Sequence, residues 1–206
     1  MAEAQALSSK YDIAAPRWGD KMRVLGYFDA YLGFLSSQNV RAPAGNRVLD
    51  IGCGTGAFAE AWVAIHGPDQ AVTLLDPAAA MLTHAKAALA HRNVQAETAQ
   101  VMLEDYVPAQ PFHCVLAAHV LEHASDPCTT LKAARDLVPK GGRLWLVVSK
   151  PHWCNAIIWL QWRHRAFRPA QVQDLLAESG WQLDMEYAFP SGPPSRTSRG
   201  YLAQAI

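Results

Sequence analysis

Short apolar runs alternate with stretches of helical spacing along most of the chain. Runs of strand length fall at Arg47–Ile51, Ala71–Leu75, 94–98, Cys114–Ala118 and Arg143–Ser149. Turn-forming residues bound several of them, including Asp76-Pro77 and Gly141-Gly142, as is typical of strands. Strands that alternate with helices predict a mostly parallel sheet covered by helices on both faces.

Apolar residues at helical spacing predict helices between and after these strands. The predicted helices span 11–37, 57–65, 78–92, 121–137, 152–168 and 169–179. Asp126-Pro127 indicates that the main part of the fourth helix begins after the proline, because the residue before a proline disfavours helical geometry. Segments 182–189 and 201–205 are predicted to pair as a terminal hairpin. The predicted fold is α/β, with a doubly wound, mostly parallel seven-stranded sheet, an antiparallel C-terminal hairpin and helices on both faces.

Three glycines at alternate positions, Gly52, Gly54 and Gly56, follow the first strand directly. Helical spacing resumes at Ala57. Glycine accepts positive φ in a sharp strand-to-helix turn and lets backbone N–H groups approach a ligand closely. Asp50 places a carboxyl group near the end of the strand beside this turn. The segment therefore predicts a ligand-binding loop.

Other polar residues fall at the predicted carboxyl ends of neighbouring strands. Asp76 follows the second strand, Leu103–Asp105 the third and His119 the fourth. In doubly wound sheets, ligands bind beyond these strand ends, where the strand order reverses. Asp76 lies 24 residues after Gly52, a distance that predicts a contact to both hydroxyls of a ribose. The alternative role of Asp76 is to cap the helix that begins near residue 78.

Composition and charge narrow the class of protein. A chain of 206 residues fits one domain, and 18 basic against 18 acidic residues give no charge that would favour nucleic acid. The four cysteines are scattered without a C-x-x-C pair, so we expect neither a zinc site nor a disulfide framework. Residues 1–5 lack the features of a signal peptide, and no apolar run is long enough to span a membrane. A cytoplasmic location is predicted.

The spacing of the glycines separates two kinds of nucleotide ligand. Dinucleotide sites use G-x-G-x-x-G, whereas this loop has G-x-G-x-G. A carboxylate at Asp50 would repel a pyrophosphate, but it accepts hydrogen bonds from an ammonium group, directly or through water. A ligand with an adenine, a ribose and an amino-acid tail therefore fits better than NAD, which leaves an NAD-dependent oxidoreductase as a distant alternative.

Several motifs carry a resemblance to a known family. Val48-Leu-Asp-Ile-Gly-Cys-Gly-Thr-Gly56 resembles motif I of the class I S-adenosylmethionine-dependent methyltransferases. His119-Val-Leu-Glu-His-Ala-Ser-Asp-Pro127 resembles the "LEH…DP" segment after the fourth strand of that family, and Leu137-Val-Pro-Lys-Gly-Gly142 resembles its "L-x-P-G-G" turn with Lys140 as an extra residue. Tyr11-Asp12…Trp18 resembles the lid helix of ubiquinone- and menaquinone-biosynthesis-type (type 11) members.

The resemblance implies a Rossmann-like fold, S-adenosyl-L-methionine as cofactor and S-adenosyl-L-homocysteine as product. It implies one methyltransferase domain over 1–206, with N-terminal lid helices in 1–40, a cofactor-binding core in 46–150, and substrate-cap helices and a terminal hairpin in 151–206. The residues that it assigns to the cofactor are Asp50, Gly52, Cys53, Gly54, Thr55, Gly56, Asp76, Pro77, Met81, Leu103, Glu104, Asp105, Ala118 and His119, with Tyr11 and Trp18 from the lid.

One position departs from the family pattern. The family commonly has Phe-Asp-x-Val entering the fourth strand, where this chain has Phe112-His113-Cys114-Val115. The aspartate of the family usually supports the fold locally. We therefore expect His113 to affect packing more than activity.

Two roles are open for His119, the residue at the end of the fourth strand. A neutral imidazole there could take a proton from the methyl acceptor as a general base. Alternatively, His119 lines the pocket or bonds to cofactor or backbone, while catalysis relies on near-attack positioning alone. Glu122 and His123 are predicted at a helix start, where a carboxylate favours the helix dipole, and neither is predicted to be catalytic.

The segment after the fifth strand is basic and rich in tryptophan. No acidic residue occurs between Asp136 and Asp174, and Trp153, Trp159 and Arg163 are candidate substrate-binding residues of a cap over the site. In a competing interpretation the apolar residues at 153, 157 and 160 form a core-facing stripe and the arginines its solvated side. Docking of this element on a membrane surface is a further alternative.

The leading functional hypothesis is a methyltransferase that acts on a small-molecule acceptor, either lipophilic or anionic, by in-line displacement. A methyltransferase for a protein or nucleic acid is an alternative, although balanced charge argues against nucleic acid. A non-catalytic protein that binds an adenosyl ligand is another. The sequence does not fix the acceptor atom or the oligomeric state.

Overall fold

Seven strands form one sheet within residues 19–39, 41–152 and 165–206, the part of the chain described by a computed structural model. The strands are β1 Arg47–Ile51, β2 Ala71–Leu75, β3 Glu97–Ala99, β4 Cys114–Ala118, β5 Arg143–Ser149, β6 Trp181–Tyr187 and β7 Ser198–Ala205. Their order is β3-β2-β1-β4-β5-β7-β6. β1 to β5 pair in parallel, whereas β7 pairs antiparallel with β5 and β6. The predicted mostly parallel sheet with an antiparallel C-terminal hairpin is confirmed.

Helices cover both faces of this sheet, as predicted. They are α1 Tyr27–Ser36, α2 Ala57–His66, α3 Ala79–Ala90, α4 Pro127–Asp136, α5 Pro169–Glu178 and α6 Gly192–Thr197, with a 3-10 turn at Leu103–Asp105. Residues 19–24 are also helical. On one face, Phe34 of α1 packs in the same buried cluster as Trp145 of β5. On the other face, Leu176 of α5 shares a cluster with Leu146.

Four strands, β1, β2, β4 and β5, have the predicted bounds. Each is a nearly continuous buried run, which is the pattern of parallel strands covered on both faces. The third predicted strand is misplaced, because β3 spans Glu97–Ala99 and not 94–98. Val94 and Ala96 are buried in the core, and pairing with β2 begins afterwards, at Thr73 opposite Glu97.

Two helix predictions need correction. The predicted helix 11–37 is interrupted at Gly26, which has a φ of 81° and begins α1 as its N-cap. The predicted helix 121–137 is shorter, and α4 starts at Pro127, in agreement with the main part predicted from Asp126-Pro127; the Asp126 carboxylate accepts a hydrogen bond from Cys128 N. Residues 121–126 form turns and bends. α6 was not predicted, and most of the predicted helix 152–168 lies outside the described residues.

The strand order reverses between β1 and β4. The chain passes from β1 outward to β2 and β3, and then returns to place β4 on the other side of β1. The two strands are tied together at their amino ends, because Arg47 N donates to His113 Nδ1 at 2.9 Å and His113 N donates to Arg47 O at 2.9 Å. His113 thus supports local packing, as expected. None of the described helices is long and apolar enough to cross a membrane.

Candidate active site

The glycine loop connects β1 to α2 through three residues with positive φ, namely Gly52 (58°), Gly54 (52°) and Gly56 (85°). A Cβ atom at Gly52 would lie 2.9 Å from Val120 Cγ2, and one at Gly56 would lie 2.9 Å from Ala85 Cα. These two glycines are therefore required by close packing. A Cβ at Gly54 would meet nothing within 4 Å, so this residue faces open space.

Asp76 links the loop to the start of α3. Its Oδ2 accepts a hydrogen bond from Gly54 N and its Oδ1 accepts one from Ala78 N, both at 2.9 Å. The interpretation of Asp76 as a local support for the helix start thus has a direct structural basis. A carboxylate offers about four acceptor sites, so these two bonds are also compatible with the predicted ribose contact.

Asp50 lies behind the loop rather than on its open side. The residue is 1% exposed and its Oδ2 accepts a hydrogen bond from Ala59 N at 3.2 Å, in the first turn of α2. Burial raises the pKa of Asp50 to about 8, Asp76 adds to the increase and the bond from Ala59 opposes it. Asp50 therefore holds the loop against α2, and its burial favours the protonated form.

The other residues predicted at the cofactor lie along the same edge of the sheet. Their strands are neighbours in the order β3-β2-β1-β4. Buried members are Cys53, Met81 and Leu103, whereas Glu104 and Asp105 are exposed. Half-buried members are Thr55, Pro77 and Ala118. The lid residues Tyr11 and Trp18 lie outside the described part of the chain. The first described residue, Gly19, lies next to the loop, since a Cβ there would approach Thr55 Oγ1 to 3.3 Å.

His119 has an unusual backbone at the end of β4. Its φ is 59°, and the other non-glycine residues with positive φ in the described chain are Asn39 and Asn93, a residue type that tolerates this region. His119 N donates to Val147 O at 2.8 Å. Its Nδ1 lies 2.8 Å from Glu122 Oε1 and 3.3 Å from Ser149 Oγ, whereas Nε2 is buried with no hydrogen-bond partner among the described residues.

The predicted position of Glu122 at a helix start is wrong. α4 begins five residues later, at Pro127, and Glu122 is 2% exposed in the preceding turn. Its Oε1 also accepts a hydrogen bond from Ser149 N at 2.6 Å. Burial by itself would raise the pKa of Glu122, but the charge of His119 and the hydrogen bonds from His119 and Ser149 N lower it overall. Burial also lowers the pKa of the neighbouring His123.

Tyr27 contacts His119 and is itself bonded to a residue near the other end of the chain. The ring of Tyr27, in α1, meets the imidazole edge-on with centroids 5.6 Å apart. Tyr27 Oη lies 3.0 Å from Thr197 Oγ1, and Lys150 N donates to Thr197 O at 2.8 Å. Sequence reasoning missed Tyr27, Ser149 and the role of Glu122, because tertiary proximity alone brings them together. The one local signal was the three-residue spacing of His119 and Glu122.

The basic segment after β5 is partly described. Trp153, Trp159 and Arg163, the predicted substrate residues, lie outside the described part, as does the proposed core stripe. Two basic residues of the sheet are paired: Arg143 Nη1 with Asp184 at 3.0 Å and Arg199 Nη1 with Glu186 at 2.8 Å. Lys150 Nζ donates to Ser195 O at 2.7 Å. These contacts tie the basic residues to the fold.

Comparisons with known proteins agree with the geometry. Residues 26–186 match a family model described as a methyltransferase domain. A ubiquinone biosynthesis O-methyltransferase of Xanthomonas euvesicatoria pv. vesicatoria (strain 85-10) is 27% identical over 186 residues, which cover 79% of this chain and 77% of that protein.

Solved structures share the fold at low sequence identity. The N-methyltransferase NodS of Bradyrhizobium japonicum WM9, in complex with S-adenosyl-L-homocysteine, has a TM-score of 0.67 at 17% identity, over 87% of this chain and 85% of that one. The magnesium protoporphyrin IX methyltransferase of Synechocystis PCC 6803, with the same bound ligand, has a TM-score of 0.68 at 16% identity, over 87% and 82%.

Proposed function

The chain belongs to the methyltransferase-domain family, and from this premise we propose that it transfers the methyl group of S-adenosylmethionine to a hydroxyl oxygen of a small lipophilic molecule. The observation that carries the choice of a hydroxyl is the buried Nε2 of His119, which lacks a partner among the described residues. A hydroxyl becomes a strong nucleophile when a base takes its proton. The relative named as an O-methyltransferase supports the same choice of atom.

The residues at the loop fit the proposed cofactor. The open space at Gly54 allows a ligand to approach the backbone, and Asp76, bonded to Gly54 N, would accept the ribose hydroxyls. Buried apolar side chains at Met81 and Leu103 would support the adenine. Asp50 would support this site from behind, since its Oδ2 holds the loop against α2.

The chemistry divides between cofactor and protein. When bound, S-adenosylmethionine supplies an electrophilic methyl group on a sulfonium, and the sulfur leaves as a neutral thioether. His119 Nε2 takes the hydroxyl proton as the new O–C bond forms and the S–C bond breaks. The positive charge lost from sulfur therefore reappears on the imidazolium, and the step is balanced in charge.

The base favours an acidic hydroxyl. A phenol, with a pKa of about 10, loses its proton to an imidazole far more readily than an aliphatic alcohol does. The Tyr27 ring lies 5.6 Å from the imidazole between centroids, and an aromatic group there would suit a planar acceptor. We therefore propose a phenol-type hydroxyl as the methyl acceptor.

Mass spectrometry with S-adenosylmethionine that carries a deuterated methyl group tests this proposal. Matched phenol, alkyl alcohol and amine acceptors are offered to the purified protein, and label should appear on the phenol oxygen. His119→Ala should lower turnover by about 100-fold while leaving the affinity for S-adenosylhomocysteine within twofold. His84→Ala, an exposed change on α3, is the matched control. Label on the amine alone, or full turnover of His119→Ala, would contradict the proposal.

A further inference from the structure

The buried carboxylate of Glu122 lies within hydrogen-bond distance of His119 Nδ1, the ring nitrogen other than the unpartnered Nε2. We infer that Glu122 is a positioning residue that fixes the tautomer of His119 and stabilises its protonated form, an inference that rests on the proposed function. Sequence reasoning gave Glu122 no such role. Its support comes from the hydrogen bonds, the burial and the backbone conformation of this pair.

The hydrogen bonds determine which nitrogen carries the proton. Glu122 Oε1 accepts from Ser149 N at 2.6 Å, so the backbone of β5 holds the carboxylate in place. The same oxygen lies 2.8 Å from His119 Nδ1. An ionised carboxylate can accept but cannot donate, so Nδ1 carries the hydrogen of the neutral ring. Nε2 is then left with a lone pair, as a base requires.

Burial opposes the charge of Glu122, whereas a positive charge on His119 and the hydrogen bonds to the carboxylate favour it. Its side chain is completely buried, and Oε2 has no hydrogen-bond partner among the described residues. A buried carboxylate is costly unless a positive charge forms beside it. A neutral glutamine could accept the same two hydrogen bonds without that cost. The acid is therefore best explained by the imidazolium that His119 becomes during methyl transfer, as in other carboxylate–histidine pairs.

Other titratable groups pack around the pair. Tyr27 and Tyr31 face it from α1, and His123 lies in the same turn as Glu122, close enough for both members of the pair to affect its pKa. Burial raises the pKa of Tyr31, with contributions from Tyr27, Asp50 and Glu122, so this phenol stays neutral. Glu122 is thus the anion that contacts the imidazole directly.

The backbone of His119 supports the same role. A positive φ of 59° is uncommon for a residue other than glycine, and such a conformation persists where surrounding contacts enforce it. Here the bond from His119 N to Val147 O and the side-chain bond to Glu122 enforce it from two sides. His119 is therefore fixed one residue before Val120, whose side chain lies against Gly52 of the loop.

Glu122→Gln tests the inference, because it keeps the shape and removes the charge. With the phenol substrate, we expect kcat to fall about 10- to 100-fold. The acid limb of the kcat/KM profile should move to lower pH, since the imidazolium loses its anion. The affinity for S-adenosylhomocysteine should stay within twofold. Glu60→Gln is the control, because Glu60 is also buried and paired, with Arg23 and Arg92, and its loss should leave the acid limb in place.

A second measurement needs no variant that must fold. In wild-type protein with 15N-labelled histidine, NMR at high pH should show His119 with hydrogen on Nδ1, the less common tautomer of free histidine. An Nε2-protonated ring, or a Glu122→Gln profile whose acid limb does not move, would overturn the inference. If wild-type protein transfers no label to any acceptor, the proposed function fails instead, so the two failures are distinct.

Discussion

At the residue scale, the proton on Asp50 makes stability depend on pH. Its pKa rises from 3.8 in the unfolded chain to about 8, chiefly through burial. A folded pKa above the unfolded one stabilises the protein at low pH, and this stabilisation is lost as pH rises through about 8. Relative to Asp50→Asn, which keeps an acceptor for Ala59 N, the wild-type free energy of unfolding should fall by about 3 kcal/mol between pH 6 and pH 9. Urea denaturation at both pH values measures it, and parallel behaviour of the two proteins would refute it.

His66 should produce the opposite dependence. Burial, with Arg41 adding, lowers its pKa from 6.5 to about 4, and its Nδ1 accepts a hydrogen bond from Ala42 N at 3.0 Å. Between these values the unfolded chain binds a proton that the folded protein excludes, so stability falls as pH drops. We expect a loss of about 2 kcal/mol between pH 7 and pH 5. In His66→Gln, which retains an acceptor, chemical denaturation should show no such loss; an equal loss there would assign the effect to other groups.

The sequence placed Asp50 and Asp76 next to the glycine loop, where the structure has them, but it did not predict the contact of Glu122 with His119. Asp50 and Asp76 could be predicted because they stand at fixed distances from a glycine motif. Glu122 could not, because three-residue spacing after His119 is equally typical of a helix start. Its bond to Ser149 N joins positions 27 residues apart, and this contact depends on β4 and β5 being neighbours in the sheet.

At the element scale, we expect two glycines of the loop to have different roles: Gly56 contributes mainly to stability and Gly54 mainly to ligand binding. Gly54→Ala and Gly56→Ala both place a side chain at positive φ, which costs about 1–2 kcal/mol. At Gly56 the new Cβ would also meet the Ala85 backbone at 2.9 Å, whereas at Gly54 it enters open space. Thermal denaturation should therefore show the larger loss for Gly56→Ala. Calorimetry should show that Gly54→Ala loses more affinity for S-adenosylhomocysteine than Gly56→Ala does, when each loss of affinity is divided by the fall in melting temperature of the same variant. The reverse ranking would contradict the assignment of the open side of the loop.

The sequence predicted some strands and helices better than others, and the difference has a physical reason. β1, β2, β4 and β5 are buried on both faces, so each is a continuous apolar run with clear ends. β3 is a three-residue edge strand whose residues are largely exposed, and the apolar residues that suggested it pack before the strand begins. The break at Gly26 in the predicted helix 11–37 could not be predicted, because a single left-handed residue leaves the apolar spacing on either side unchanged.

At the scale of the whole molecule, the order of the strands assembles the site. The reversal between β1 and β4 brings the loop, Asp76 and His119 to one edge of the sheet. Residues far apart in sequence also come together near His119, since Tyr27 and Thr197 form a hydrogen bond although they are 170 positions apart. The sequence motifs could predict which residues lie at this edge of the sheet. The contact between Tyr27 and Thr197 could not be predicted, because it depends on the path of β7 between β5 and β6.

The central claim is that this edge binds an adenosyl amino acid through Asp76, and isothermal titration calorimetry with S-adenosylhomocysteine tests it most directly. We predict saturable binding at one site in wild-type protein. In Asp76→Asn, with its fold checked by circular dichroism, the affinity should fall at least about tenfold, because charge-assisted bonds to the ribose are lost. No binding at millimolar ligand in wild-type protein, or unchanged affinity in Asp76→Asn, would contradict the account.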